Sequence, residues 1–279
     1  MAAEPLIHRA IEIRRKLLGE NHPELAESLS SLASLYEHMG NYADAEPLYR
    51  QSMEIRRKSL GKNHPDFATS LNNLASLCCS VGKYSEAEML YRQAIKIRRN
   101  SVGRNHPDFA IGLNNLASLY CSMGKYDQAE QLYLQAMQIW RELLGENHPD
   151  FATCLNNLAL LHYSKKNYEV AEPLIHQAIK IRRESLGEHH PDLADSMKVL
   201  ASLYEMKGDS ESSKLLYKQI MAIRRSTFDR SNLEQLERYP NLEYPNKIMI
   251  NKEFDLVVKL LMKPPKSRLD SITIGYSSL

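Results

Sequence analysis

The sequence predicts an all-α solenoid built from stacked helical hairpins, and three observations support this. A His-Pro pair recurs along the chain at a constant spacing of 42 residues. Between the pairs, apolar residues follow the period of an amphipathic helix. Glycine and proline stand where such helices would end and begin. Self-similarity at a fixed period is typical of a repeat protein, in which each unit packs on its neighbours.

The third unit illustrates the helical period. The stripe from Leu113 to Tyr120 places apolar residues at i, i+3, i+4 and i+7, which lie on one face of a helix. Gly124 interrupts this helix, and the same spacing resumes from Tyr126 to Ala136. Each unit is therefore predicted to be a pair of helices joined by a short turn.

The joints between units carry start and stop signals for helices. Pro107 suits the first turn of a helix, and Asp108 complements the positive end of the helix dipole. Gly103 and Gly145 fit the positions after a helix, where positive φ is often needed. The joint histidines are interpreted as helix-start residues and not as a metal array, because ligands a repeat apart cannot share one ion. The His-Pro pairs begin at His22, His64, His106, His148 and His190.

Small residues predict how the two helices of a unit pack. Ala117 and Ala129 flank the turn of the third unit, so the helices can approach closely there. Tyrosines fill the remaining space and bury a large area. One hairpin cannot bury both of its faces, which requires neighbouring hairpins to stack.

These landmarks resemble the tetratricopeptide repeat. The 42-residue period is longer than the usual one of about 34 residues and is similar to the form in kinesin light chains and nephrocystin-type proteins. The resemblance covers roughly residues 1–225 and implies a right-handed superhelix. The third unit supplies every landmark, at Leu113, Leu116, Ala117, Tyr120, Gly124, Tyr126, Ala129, Tyr133 and Ala136.

The ends of the chain depart from the repeat pattern. Residues 1–18 match the second helix of an incomplete repeat, whose apolar face would be exposed and could support self-association. Residues 19–226 hold five 42-residue units. Residues 227–279 lose the period and form an irregular or β-like tail. The segments "FDLVVKLL" and "SITIGY" are compatible with two short strands of a truncated β domain, or with a flexible tail.

Paired asparagines are the main candidates for a binding site. Asparagine is a poor residue inside a helix, because its side chain competes for backbone groups. Its amide can bond both polar groups of a peptide bond, so a row of amides could hold an extended chain. For the first residue of each pair, ligand contact and a structural tie between hairpins are equally compatible. For the second, ligand contact is favoured, and tetratricopeptide grooves commonly use an asparagine there. The pairs are Asn72 and Asn73, Asn114 and Asn115, and Asn156 and Asn157.

Further candidates lie on the same predicted groove. Ser76 and Ser118 follow the asparagines, and the outer units carry Ser31 and Val199 in place of the second asparagine. One helical turn further lies a row of residues that differ between units, which we call the variable row. These side chains could select the ligand or simply face solvent. The arginine pairs that end most second helices are interpreted mainly as helix-end electrostatics, with guidance of an acidic partner as a second role. Trp140 replaces an arginine in one unit and is expected to pack against the joint. The variable row is Glu37, Cys79, Cys121, Tyr163 and Glu205.

Composition narrows the functional classes. The 279-residue chain is 43% hydrophobic and 25% charged, as in folded proteins. Its formal net charge of +2 gives no electrostatic reason to expect nucleic acid or a membrane as the partner. No apolar run reaches the roughly 20 residues of a membrane span. A cytoplasmic protein is expected, with free thiols at Cys78, Cys79, Cys121 and Cys154.

The leading prediction is a non-catalytic scaffold that binds an extended peptide or partner protein in its concave groove. The resemblance to kinesin light chains implies adaptor work and suggests short, partly acidic peptides as ligands. The alternative is the sensor or autoinhibitory region of a larger multidomain signalling protein. An enzyme is disfavoured, because no catalytic or phosphate-binding motif interrupts the repeats, and no cofactor is expected.

Overall fold

The computed structural model describes the backbone of residues 3–238 and the side chains of residues 4–226. This part of the chain is built of α-helices without a strand, which confirms the predicted all-α solenoid. By contacts, the chain divides into two compact units, Met1–Ile223 and Arg224–Leu279. The helices are α1 (Ala3–Leu18), α2 (Pro23–His38), α3 (Tyr42–Leu60), α4 (Pro65–Ser80), α5 (Tyr84–Ser101), α6 (Pro107–Ser122), α7 (Tyr126–Leu144), α8 (Pro149–Ser164), α9 (Tyr168–Leu186), α10 (Pro191–Lys207) and α11 (Ser210–Arg238).

The recurring His-Pro pair begins the first helix of every hairpin. Proline occupies the first helical position, where a missing N–H costs no hydrogen bond. The preceding histidine is the N-cap, and its Nδ1 accepts the N–H of the acidic residue after proline. For His64 and Asp66 this N···N distance is 3.1 Å. The glycines before the joint adopt the expected positive φ, with 93° at Gly103 and 80° at Gly145.

The hairpins of the first three units close around alanine and tyrosine. Ala117 of α6 and Ala129 of α7 are both fully buried and belong to one apolar cluster. Tyr133 is 3% exposed and packs in the same cluster, so its ring fills the space beside the alanines. Burial of such a ring contributes about 1.5–3 kcal/mol to folding. The small residues therefore set the close approach, as the sequence predicts.

The hairpins of residues 3–223 stack in sequence. Each first helix contacts the first helix of the next unit, as in α4 with α6 and α6 with α8. Within the described residues, the backbones of the second helices α3, α5, α7 and α9 lie close to first helices and not to one another, although Arg50 of α3 pairs with Glu86 of α5 at 2.8 Å. The stack therefore curves with its first helices on the concave side. The side chains on the exposed face of these helices line this inner surface.

Arginines at the ends of second helices bind the following hairpin. Arg182 Nη1 donates to the Asp192 carbonyl at 2.8 Å and to Ser196 Oγ at 2.6 Å. Arg98 makes the corresponding bond to the Asp108 carbonyl at 3.0 Å. Arg98 and Arg182 are 4% and 5% exposed. The interpretation of the pairs as mainly helix-end electrostatics is therefore incomplete for the first arginine, which is buried and ties consecutive repeats together.

Trp140 takes the place of that arginine at the joint between α7 and α8. It is 3% exposed, and its ring stacks on His148 with centroids 6.3 Å apart and planes 9° from parallel. The corresponding residue of α8 is Cys154, where three of the other units carry serine and the third unit carries Gly112. At this joint an apolar contact thus replaces the arginine hydrogen bonds of the other joints, which we call the arginine clamp. This is expected for a tryptophan packed against the joint.

Ion pairs connect the hairpin turns to the preceding unit. A lysine of the turn pairs with the glutamate of the recurring "AE" in the unit before it. Such half-exposed pairs contribute at most about 1 kcal/mol each, so they guide the stacking more than they stabilise it. The N···O distances are 2.9 Å for Lys83–Glu46, 3.4 Å for Lys125–Glu88, 3.3 Å for Lys165–Glu130 and 2.6 Å for Lys207–Glu172.

The last helix continues beyond the predicted end of the repeats. Residues 227–238 belong to α11, because the sequence holds no glycine or proline there until Pro240. The two strands predicted within "FDLVVKLL" and "SITIGY" lie outside the described residues.

Candidate functional site

The inner face consists of the outward-facing residues on the first helices of the three middle units. Most of these residues are half-buried and polar, and none of them is charged. Such a surface can offer hydrogen bonds along its length without a fixed electrostatic preference. The inner face comprises Thr69, Asn73, Ser76 and Cys79 of α4, Ile111, Asn115, Ser118 and Cys121 of α6, and Thr153, Leu160 and Tyr163 of α8.

The asparagines bond to each other across successive first helices. Asn115 Nδ2 donates to Asn72 Oδ1 at 2.9 Å. Asn157 Nδ2 donates to Asn114 Oδ1, also at 2.9 Å. The second amide of each pair thus reaches back to the first amide of the preceding unit, 43 residues earlier. This chain of side chains, which we call the amide ladder, links α4 to α6 and α6 to α8.

The amide ladder ends with a substitution. Val199 stands where a further second asparagine would be, and it is 5% exposed. Asn156 Oδ1 instead accepts from Ser196 Oγ at 3.1 Å. Since buried polar groups need partners, the serine satisfies the acceptor that the valine cannot.

For Asn114 and Asn156 the amide ladder favours the structural tie, one of the two roles that the sequence left open, and for Asn157 it corrects the expectation of ligand contact. Asn114, Asn156 and Asn157 are 7%, 5% and 2% exposed, and each bonds to a neighbouring unit. They are structural ties here, because a buried amide that already bonds within the fold does not face a ligand. For Asn157 this overturns the favoured role. The remaining predicted residues are half-buried and accessible in part: Asn72, Asn73, Asn115, Ser76, Ser118, Cys121 and Tyr163.

Tyrosine hydroxyls of the second helices reach the inner side of the stack. Tyr49 donates to Glu37 Oε2 at 2.9 Å, and the Tyr133 hydroxyl lies 4.0 Å from Cys121 Sγ. Burial is the main reason that the pKa of Tyr49 lies above its ordinary value. In the fourth unit Ile175 replaces the tyrosine, and the first helix carries Tyr163 instead. In the units of Tyr49 and Tyr133, the tyrosine hydroxyl of the second helix therefore contacts the residue of the variable row.

The thiols of the variable row are poor nucleophiles. Burial raises the pKa of Cys79 to about 12 and that of Cys121 to about 11. A thiol with such a pKa holds little thiolate at neutral pH and is unsuited to covalent chemistry. Among the described residues, no three His, Cys, Asp or Glu side chains are grouped to hold a metal ion. The arrangement provides hydrogen bonds and shape for binding.

Charge is distributed unevenly between the two sets of helices. The first helices α2, α4, α6, α8 and α10 together contain nine carboxylates and two lysines. The second helices from α1 to α9 contain thirteen carboxylates and sixteen lysines and arginines. The first helices therefore carry a net negative charge although the whole chain is slightly positive, and arginines that reach them from second helices, such as Arg14, Arg98 and Arg182, offset part of it.

Sequence reasoning left open a structural tie for the first asparagine of each pair, but it missed that the second asparagine is its partner, and it missed the tyrosine contacts. The signal for the ladder is that Asn72 and Asn115 are separated by one residue more than the repeat, so their side chains can meet across a joint. The signal for the tyrosine contacts lies in the fourth unit. It has Tyr163 on its first helix and Ile175 on its second, whereas the other units carry the tyrosine at the position of Ile175. Both follow from comparing units with each other instead of reading one unit alone.

Stacked hairpins with a polar inner face define a helical-repeat protein. The sequence matches the tetratricopeptide repeat family over residues 1–58, 26–100, 108–184 and 155–226. The chain belongs to this family. No curated protein was found to match it. None of the described helices has the length and hydrophobicity to cross a membrane.

Solved structures with this architecture include kinesin light chain-like proteins. BtubC (BKLC) from P. vanneervenii is 26% identical with a TM-score of 0.64, and the match covers 98% of this chain and 97% of that one. A Podosopora anserina kinesin light chain-like protein with nearly identical repeats is 27% identical with a TM-score of 0.56. That match covers 74% of this chain and 98% of the other. Family and neighbours together support a protein-interaction scaffold.

Proposed function

We propose that the protein binds an extended peptide or peptide segment of a partner protein along its inner face, as an adaptor similar to kinesin light chains. The observation that carries this proposal is the continuous run of half-buried, uncharged polar residues across three stacked first helices. An extended peptide exposes backbone N–H and C=O groups at regular spacing, and such a surface can satisfy them.

Asn73 and Asn115 are the amides best placed for ligand contact. Asn115 uses its Nδ2 within the amide ladder, which leaves its Oδ1 as an acceptor for a peptide N–H. Asn73 is half-buried, and its unit lies next to one that carries Ser30 and Ser31 instead of asparagines. Asn72, Ser76, Ser118, Cys121 and Tyr163 complete the proposed contact surface. Each neutral hydrogen bond adds only about 1 kcal/mol, so several must act together.

Substitution of the inner face tests this proposal. Ser118→Arg places a bulky side chain in the middle of the face, and Gln131→Arg adds the same charge to an exposed position of α7. Peptides are selected from a random display library on the wild-type protein and titrated by fluorescence anisotropy. Ser118→Arg should weaken binding at least tenfold while Gln131→Arg leaves it unchanged. Equal effects of the two variants, or no selected peptide, would contradict the proposal.

Self-association through α1 stays a separate prediction. Ile13 of α1 is 48% exposed, whereas its equivalents Ile55, Ile97, Ile139 and Ile181 are 4–7% exposed. Sedimentation velocity of the wild type and of Ile13→Glu compares the two cases. A concentration-dependent larger species in the wild type alone would support self-association, and monomers throughout would rule it out.

A further inference from the structure

The carboxylates of the first helices divide into two groups. Five of the nine occupy the first helical turn, where they complement the helix dipole. The other four lie further along the helices, in the first and the last unit. Glu27 pairs with Arg14 at 3.2 Å. The remaining three are Glu37, Asp195 and Glu205.

Glu37 is a half-buried carboxylate whose nearest cationic group is the neighbouring His38. Its Oε2 accepts from the Tyr49 hydroxyl at 2.9 Å. Among the described residues, no lysine or arginine forms an ion pair with it. It lies close enough to Cys79 of the next unit to raise the pKa of that thiol. Burial is also the main cause that raises the pKa of Glu37 itself. A nearby cation would offset the cost of holding this charge away from water.

Glu205 occupies the equivalent position four units later. It accepts from Ser213 Oγ at 3.3 Å, and within the described part of the chain no lysine or arginine pairs with it. Between the two glutamates the row carries Cys79, Cys121 and Tyr163. The row is therefore neutral in its middle and negative at both ends.

We propose that the inner face, together with Glu37 of α2 and Glu205 of α10 at its two ends, recognises a basic extended peptide, in which one lysine or arginine pairs with Glu37 and another with Glu205. The inference rests on the proposed function and specifies its partner. It replaces the acidic partner suggested by the resemblance, because an acidic peptide would meet Glu37 and Glu205 with like charge at the two ends of the row. Arginine suits the half-buried Glu37 well, since its guanidinium is planar and weakly hydrated, whereas the exposed Glu205 can accept lysine or arginine.

The spacing of the two glutamates sets a length for the peptide. Neighbouring helices pack about 8–10 Å apart, so four steps between first helices span roughly 32–40 Å. An extended chain advances about 3.3 Å per residue. The two basic residues are then separated by roughly 10–12 residues of uncharged or small polar sequence.

The test uses the full chain and a random-peptide display library long enough to span both glutamates. Selection on the wild type should enrich lysine and arginine over aspartate and glutamate. Glu37→Gln retains an acceptor for the Tyr49 hydroxyl, so it removes charge without removing the hydrogen bond. Glu54→Gln makes the same change of net charge on α3 and serves as the matched control. Affinities of an enriched peptide are measured by anisotropy at low and at high salt.

We expect Glu37→Gln to weaken binding roughly tenfold at low salt and less at high salt, and Glu54→Gln to leave it unchanged. Replacing the basic residue of the peptide with alanine should abolish the difference between wild type and Glu37→Gln. Selected peptides that are acidic or uncharged would overturn this inference and leave the proposed function intact. The absence of any selected peptide would overturn both.

Discussion

The side-chain amide of Asn157 donates to Asn114 Oδ1 at 2.9 Å, and both residues are less than 8% exposed. They belong to α8 and α6, the first helices of consecutive units. The contact therefore joins hairpins directly through polar side chains, in addition to the apolar packing between them. The pattern within one repeat predicts that Asn157 is available for a ligand. In the stack it instead forms part of the contact between two units.

The amide ladder predicts a difference between two asparagines at equivalent positions. Asn157→Ala leaves Asn114 Oδ1 without this donor in a buried place, which should lower the free energy of unfolding by about 1–3 kcal/mol. Asn73→Ala should change it by less than about 0.5 kcal/mol, because Asn73 is half-buried. Urea unfolding followed by circular dichroism measures both. Equal stability of the two variants would show that the amide ladder is energetically neutral.

The buried arginine clamp gives a second prediction, with an adjacent residue as control. Arg98→Ala removes the donor to the Asp108 carbonyl and the packing of a long side chain. We expect a loss of about 2–4 kcal/mol in the free energy of unfolding. Arg99 is exposed, so Arg99→Ala should lie within about 0.5 kcal/mol of the wild type. Similar losses for the two variants would contradict the clamp.

Glu88 provides a pH dependence of stability. The Tyr120 hydroxyl, which donates to Glu88 Oε1 at 2.9 Å, is the main cause that lowers the pKa of this carboxyl from its ordinary value of 4.5. A lowered pKa in the folded state adds stability above the unfolded pKa, and this is lost as the pH falls through the folded value. The wild type should be more stable than Glu88→Gln at neutral pH, and the difference should shrink below pH 4.5. Thermal melts across this range measure it, and a constant or growing difference would refute the assignment.

The cysteines should be unreactive in the folded protein. Burial raises the pKa of Cys78 to about 11 and that of Cys154 to about 12, and the other two are similarly shifted. Titration with a chromogenic disulfide at neutral pH should therefore reveal slow thiols in the native state. All four should react quickly in urea. A rapidly reacting native thiol would show that one cysteine is more accessible than the structure indicates.

The fold was predictable because its determinants are local and repeated. The His-Pro pairs, the alanines beside the turn and the 42-residue period each define a helix start, a close contact or a unit. The site was less predictable, because Asn73 and Asn157 are the same residue type in equivalent positions. Their different burial depends on which side chain the neighbouring unit presents. The buried role of Arg98 was missed for the same reason, since it concerns a contact between units.

Site-specific photo-crosslinking tests the central claim that the inner face binds an extended peptide. A benzophenone amino acid is placed at Ser118 of the inner face or at Gln131 of α7, and each protein is irradiated with a selected peptide. Mass spectrometry should find the peptide attached at position 118 and not at position 131. Attachment at position 131 alone would place the ligand on the second helices and contradict the account.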